Sequence, residues 1–155
     1  QAMTSNATRG FAVEDTAAIT FRFVSGVLAS FMLSDTAASA RSWEQTTQEN
    51  KAYASYGDED CYVITGTNGT LSVPTMRLKS YAKDEDRSWW KTFDTSVVNM
   101  VREDPLKLQI EHFAAVIRGA AQPLVSAYDG LQNLRVTEAI FEATKTGQVV
   151  ELLPS

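Results

Sequence analysis

The 155 residues hold a single cysteine, Cys61, and a single histidine, His112. One cysteine excludes an internal disulfide and fits a reducing compartment, so the expected location is the cytoplasm. A metal site needs clustered His, Cys and carboxylates, and these two residues, about fifty positions apart, provide no ligand spacing. Glycine is sparse too. None of the eight glycines falls in a G-x-G-x-x-G or Walker sequence, so no phosphate-cradling loop is encoded and no dinucleotide is bound by the usual route. No apolar run approaches the roughly 18 residues that a membrane span needs. A basic stripe is missing as well: the net charge is −5, and acidic clusters at Asp58–Asp60 and Asp84–Asp86 interrupt the scattered lysines and arginines. That argues against a nucleic-acid surface, which needs concentrated positive charge to displace counterions. The opening QAMTSNATRG has no initiating methionine, basic n-region or apolar h-region, and reads as though cut from something longer.

What remains is ordinary globular composition, 44% hydrophobic and 21% charged, in a length that suits one domain of two packed layers. Residues 1–9 are a weak strand at best. Over Thr16–Val24, Ala17, Ile19, Phe21 and Phe23 alternate with Ala18, Thr20, Arg22 and Val24, the period of a strand buried on one face. Ser25-Gly26 then reads as a two-residue turn, and Val27–Ser34 returns. That turn pairs Ile19 with Met32 and Thr20 with Phe31, which puts Phe31 on the open face. On this reading Phe31→Glu would break a dimer made through the sheet. Residues 35–60 are irregular and polar. Cys61–Thr67 and Thr70–Val73 form a hairpin about Asn68-Gly69, the preferred type I′ pair, and Pro74 ends it. Met76–Ala82 and Ser88–Phe93 read as two further strands.

From Asp104 to Leu152 the pattern is helix, loop, helix and strand. Asp104 and Pro105 announce the first helix. Leu106, Ile110, Phe113, Ala114 and Ile117 form a stripe expected to face the core, while Leu108, His112, Ala115 and Val116 form a third face. Ser126 to Asp129 begins the second helix as a capping box, and Gly147 ends it. Val149, Val150 and Leu152 read as a final strand. Strands followed by a helical pair read as α+β, and the helices must cover whatever sheet the first hundred residues make.

Few side chains suggest chemistry. His112 is read either as a histidine satisfied by a hydrogen bond where the first helix meets another element or as a substrate- or proton-handling group, and Asn133 as a buried amide tying its helix to a loop. Trp43 and Glu44, an aromatic beside a carboxylate in a polar loop, suit either a polyhydroxy ligand or a loop anchor.

The order VEDTAAITFRF…SGVLASFMLS, CYVITGTNGTLSVP and HFAAVIRGAAQP…YDGLQNLRVTEAIFEATKTGQVVEL resembles the C-terminal domain of the Gfo/Idh/MocA oxidoreductases. Its most specific parts are Val13-Glu14-Asp15-Thr16-Ala17, Ile64-Thr65-Gly66-Thr67 before Asn68-Gly69, His112-Phe113, and Ala139 to Leu152. The resemblance implies an α+β fold like the C-terminal domain of glyceraldehyde-3-phosphate dehydrogenase, a mostly antiparallel open β-sheet with helices packed on one face, and an open sheet face that makes homo-oligomers. It also implies a Rossmann domain in cis that binds NAD or NADP, with hydride transfer to or from a sugar, inositol or similar small molecule. Residues 1–155 are then one substrate-binding and oligomerisation domain, without cofactor or catalysis of its own. The glycine fingerprint, the E-K-P lysine and the G-G-G-x-x-x-D-x-G-x-H segment are absent from the sequence. His112 lies in a different motif from that segment's histidine. Arg41-Ser42-Trp43-Glu44 resembles a segment of some members, which makes Arg41, Trp43 and Glu44 the expected substrate-binding residues. The competing reading is a free-standing cystatin-like or NTF2-like binding module.

Overall fold

A computed structural model describes residues 1–101 and 103–152. In chain order its elements are β1 (Ala2–Ser5), β2 (Thr16–Arg22), β3 (Leu28–Ser34), α1 (Trp43–Thr47), β4 (Tyr62–Thr65), β5 (Gly69–Val73), β6 (Arg77–Ser80), β7 (Asp94–Val97), α2 (Pro105–Ile117) and α3 (Ala127–Thr146). They divide into two units. One combines Gln1–Ala38 with the chain from Gln122 onward; the other is Ser39–Ala121. The class is α+β, as expected, and both sheets are antiparallel: a three-stranded β1-β2-β3 sheet and a four-stranded β4-β5-β6-β7 sheet.

In the first unit the alternation of β2 sets the packing. Ile19 is buried on the odd-numbered face with Ala2 and Ala143, and Ala17, Phe21, Ile140 and Val150 pack around them. The small side chains of Ala2 and Ala143 let α3 approach β1 closely. The helix is bounded as its sequence dictates. Ser126 Oγ accepts from the Asp129 amide at 3.2 Å and Asp129 Oδ2 accepts from the Ser126 amide at 2.8 Å, while Gly147 closes the helix at φ 69°. Buried Asp15 holds the chain before β2, accepting from the amides of Thr8 (3.1 Å) and Arg9 (3.0 Å) and from the Thr16 hydroxyl (3.0 Å). The Arg9 amide, opposed by burial and helped by Thr16 and Thr8, keeps this carboxyl below its ordinary pKa.

The β2–β3 register differs from expectation by one residue. Thr16 pairs with Ser34 and Arg22 with Leu28, so Ile19 faces Phe31 rather than Met32. The loop has three residues, Val24–Gly26, closed by the Phe23 amide to Val27 at 2.9 Å with Gly26 at φ 87°. A glycine with positive φ at the third position suits a three-residue hairpin. One step of register turns every β3 side chain over. Phe31 thus joins the helix-covered face, its ring 5.6 Å from Phe21 and edge-on to it. Met3, Leu28 and Met32 occupy the other face, 69%, 74% and 74% exposed. At the far end, Val150 enters the core without a strand around it: residues 149–152 are irregular, not the expected ladder.

In the second unit β4 and β5 meet with Thr65 opposite Thr70, and the Gly66 amide reaches the Gly69 carbonyl at 2.8 Å. The turn is therefore Thr67-Asn68, and Gly69 belongs to β5. Tyr62, Ile64, Leu71, Val73 and Leu78 share one face of this sheet. The last strand is Asp94–Val97, so Ser88–Phe93, expected as a strand, is the loop before it. Just before β4, Asp60 fastens the β5–β6 turn. Its Oδ1 accepts from the Thr75 hydroxyl (2.6 Å) and amide (3.1 Å), and its Oδ2 from Arg77 at 2.6 Å.

Asp104 Oδ1 caps α2 through the Leu106 amide at 2.9 Å, as its sequence predicts. Its faces are not divided as expected. Leu106, Ile110, Phe113 and Ile117 of the expected core stripe are 65–69% exposed while Ala114 of that stripe is half-buried; on the third face His112, Ala115 and Val116 are half-buried and Leu108 is exposed. Asn133 is likewise exposed on α3, not a buried amide. Periodicity measures how apolar residues are grouped and says nothing of which group meets a neighbour.

Candidate substrate-facing segment

Arg41, Trp43 and Glu44 lie at the start of the second unit, where the expected loop folds into the five-residue helix α1. Ser42 initiates it by accepting from the Gln45 amide at 3.2 Å. Thr46, wholly buried, donates to the Ser42 carbonyl at 2.8 Å. The chain then reverses through Gln48, in the left-handed region at φ 61°, and the Tyr56 amide returns to the Gln45 carbonyl at 2.8 Å.

Two of the three side chains are held by acidic partners from that return. Arg41 Nε donates to Glu59 Oε2 at 3.1 Å, and Trp43 Nε1 donates to Glu49 Oε2 at 2.9 Å. The Trp43 ring lies 5.8 Å from that of Tyr62, tilted by 50°, and remains 39% exposed. Glu44 is exposed in the first turn of the same helix. The arrangement is an aromatic plane braced by a second ring, with a guanidinium and three carboxylates on the surrounding chain. Such a set can stack against the C–H face of a ring and hydrogen-bond hydroxyls. Glu49, Glu59 and Tyr62 escaped the reading of the sequence. The polar stretch from Gln48 to Asp60 carries no periodicity that would have brought them back to Trp43.

Among the described residues no group of His, Cys, Asp and Glu is placed to hold a metal ion, and no helix is long and apolar enough to cross a membrane. His112, half-buried on α2, is not at this segment's sequence position or on its elements.

Against known proteins, the chain is 28% identical over 103 residues to a D-apiose dehydrogenase of Paraburkholderia graminis, an alignment that covers 57% of this chain and 25% of that enzyme. It thus spans about a quarter of that relative's length. Residues 1–152 match the C-terminal alpha/beta domain of an oxidoreductase family. Sequence resemblance, α+β class and family match agree, and the chain belongs to the Gfo/Idh/MocA oxidoreductase family as its C-terminal domain.

Proposed function

We propose that this chain is the substrate-binding and oligomerisation domain of an NAD- or NADP-dependent oxidoreductase. The enzyme acts by hydride transfer on a sugar, inositol or related polyhydroxy compound. The observation that carries the reading is the match of residues 1–152 to the family's C-terminal domain; the similarity to an enzyme named for a sugar supports the substrate class. Nothing in residues 1–155 offers a dinucleotide a phosphate loop, so the cofactor is bound by a Rossmann domain in cis and this domain has no activity by itself. Its contribution is to hold the polyhydroxy ring while the reacting carbon is presented elsewhere.

Arg41, Trp43 and Glu44 are the residues assigned to that task. With the domain joined to its dinucleotide-binding half, Trp43→Ala is expected to raise KM about five- to tenfold, the loss of one stacked aromatic contact. It should leave kcat nearly unchanged, because the contact serves ground and transition states alike. An unaltered KM in steady-state kinetics would remove the segment from the site.

Association uses the uncovered face of the three-stranded sheet, where Met3, Leu28 and Met32 offer apolar surface to a second copy. Phe31 belongs to the opposite face, so the informative substitution is Met32→Glu. It places a carboxylate in the contact and is expected to halve the mass measured by light scattering. A mass equal to that of the unsubstituted chain counts against this interface.

A further inference from the structure

The Trp43 indole is held in a fixed direction. Its Nε1 donates to Glu49 Oε2 at 2.9 Å, and an indole N–H points outward in the plane of the rings. The Glu49 carboxylate therefore sits at the rim of the indole and not over its face. The Tyr62 ring, 5.8 Å away, limits the swing of the plane. The reversal of the chain has other fastenings: wholly buried Thr46 donates to the Ser42 carbonyl and the Tyr56 amide to the Gln45 carbonyl, both at 2.8 Å. A loop anchor buries its ring, whereas Trp43 is oriented and left 39% exposed. All of these groups belong to the one continuous unit Ser39–Ala121.

Glu49 is exposed and has acceptor capacity to spare. A carboxylate accepts at about four lone-pair sites. The indole occupies one at Oε2, and among the described residues Oε1 has no hydrogen-bond or ion-pair partner. A polyhydroxy ring lying on the indole directs its hydroxyls outward at its own rim. One of them then comes within hydrogen-bonding reach of a carboxylate held at the rim of the indole.

Charge narrows what that ring can be. Arg41, the cation that would recognise an anionic ligand, is spent on Glu59 at 3.1 Å, and Asp60 is paired with Arg77 at 2.6 Å. What remains from Arg41 to Asp60 is Lys51 against Glu44, Glu49 and Asp58. Negative charge is thus in excess on the stretch that carries the indole. A phosphate or carboxylate on the ligand meets like charge there, and a neutral ring does not.

We propose that Glu49 is a further substrate-binding residue: its Oε2 sets the Trp43 indole and its Oε1 accepts from a hydroxyl of the ring stacked there. The segment therefore takes an uncharged polyhydroxy ring and disfavours its phosphorylated and carboxylated counterparts. The inference rests on the reading of Trp43 as substrate-facing. The test joins the domain to its dinucleotide-binding half and uses D-glucose, D-xylose and myo-inositol as neutral probes, with D-glucose 6-phosphate and D-glucuronate as anionic ones. A neutral probe should be turned over with kcat/KM about tenfold or more above either anion. Glu49→Ala should raise its KM about fivefold with little change in kcat. Glu49→Gln keeps an acceptor for the indole and loses the charge. It should recover part of the affinity lost with alanine and narrow the neutral-to-anionic ratio about threefold, a ratio that a merely structural role would not move. A second readout is independent of activity. In the full chain with Trp89→Phe and Trp90→Phe, Trp43 is the sole indole, and its quenching by iodide should rise in Glu49→Gln while quenching by neutral acrylamide stays level. If Trp43→Ala raises KM and Glu49→Ala does not, this inference falls and Trp43 stands. If neither does, the whole segment leaves the site. Preference for an anionic probe, no turnover of any neutral probe, or iodide quenching unchanged by Glu49→Gln also overturns the proposal.

Discussion

Asp60→Ala is expected to destabilise the Ser39–Ala121 unit by about 2–3 kcal/mol in urea unfolding. The Asp60 side chain is only 9% exposed, and its two oxygens collect the Thr75 hydroxyl, the Thr75 amide and the Arg77 guanidinium. Alanine leaves the Thr75 donors without their acceptor and Arg77 without its counter-charge. A fully buried pair broken in this way costs about 3–5 kcal/mol. The Arg77 side chain is 47% exposed and water replaces part of what it loses, which lowers the expected cost. Burial pushes the Asp60 carboxyl up, but the Thr75 hydroxyl, Arg77 and the Thr75 amide outweigh it and hold the group below its ordinary value of 3.8. The folded pKa being the lower one, the contribution is present above the unfolded value and fades as pH falls through 3.8 toward the folded pKa. The unsubstituted protein should therefore lose more stability than Asp60→Ala between about pH 6 and pH 3. Equal losses would place the acid sensitivity in other carboxylates.

Gly69→Ala is the second large effect, expected at about 2–3 kcal/mol. A Cβ at Gly69 would run into the Lys79 carbonyl oxygen and stand 3.0 Å from both Cα and Cβ of Ser80. The obstacle is backbone of β6, which cannot turn aside as a flexible side chain can. β5 lies between β4 and β6, so pushing it away disturbs ladders on both sides. Gly130 provides the contrast. Inside α3, with nothing within 4 Å of an added Cβ, Gly130→Ala should stabilise by about 0.5–1 kcal/mol, the ordinary helical gain. Thermal melts of the two variants should move in opposite directions, and a shift of the same sign would refute the steric account of Gly69.

The helix ends were legible because their signals are local: Asp104 with Pro105, Ser126 with Asp129, and Gly147 each act within one turn. The alternation of β2 was equally readable, since a buried Ile19 between Thr20 and Ala18 marks its own face. The β3 face was not. It depends on whether the turn holds two residues or three, and Gly26 serves either count. Ser88–Phe93 carries the aromatics that favour strands, yet the ladder forms four to six residues later, where Asp94 and Thr95 meet Ser80 and Lys79. For the candidate site the sequence pointed to Trp43. It could not supply Glu49, Glu59 and Tyr62, whose approach depends on the reversal after Gln48.

The packing of β1 against α3 in the first unit also sets an order of events during synthesis. Ala2 and Ala143 share one core, so β1 must wait for the ribosome to complete α3, at least several seconds at about 5–20 residues per second. The Ser39–Ala121 unit is continuous and is free to fold during that delay. The β2–β3 hairpin meanwhile lacks its helical cover, with Ile19 and Phe21 open to chaperones and to other nascent chains. A premature stop before α3 would thus damage the strands made first, although every residue of them had been translated correctly.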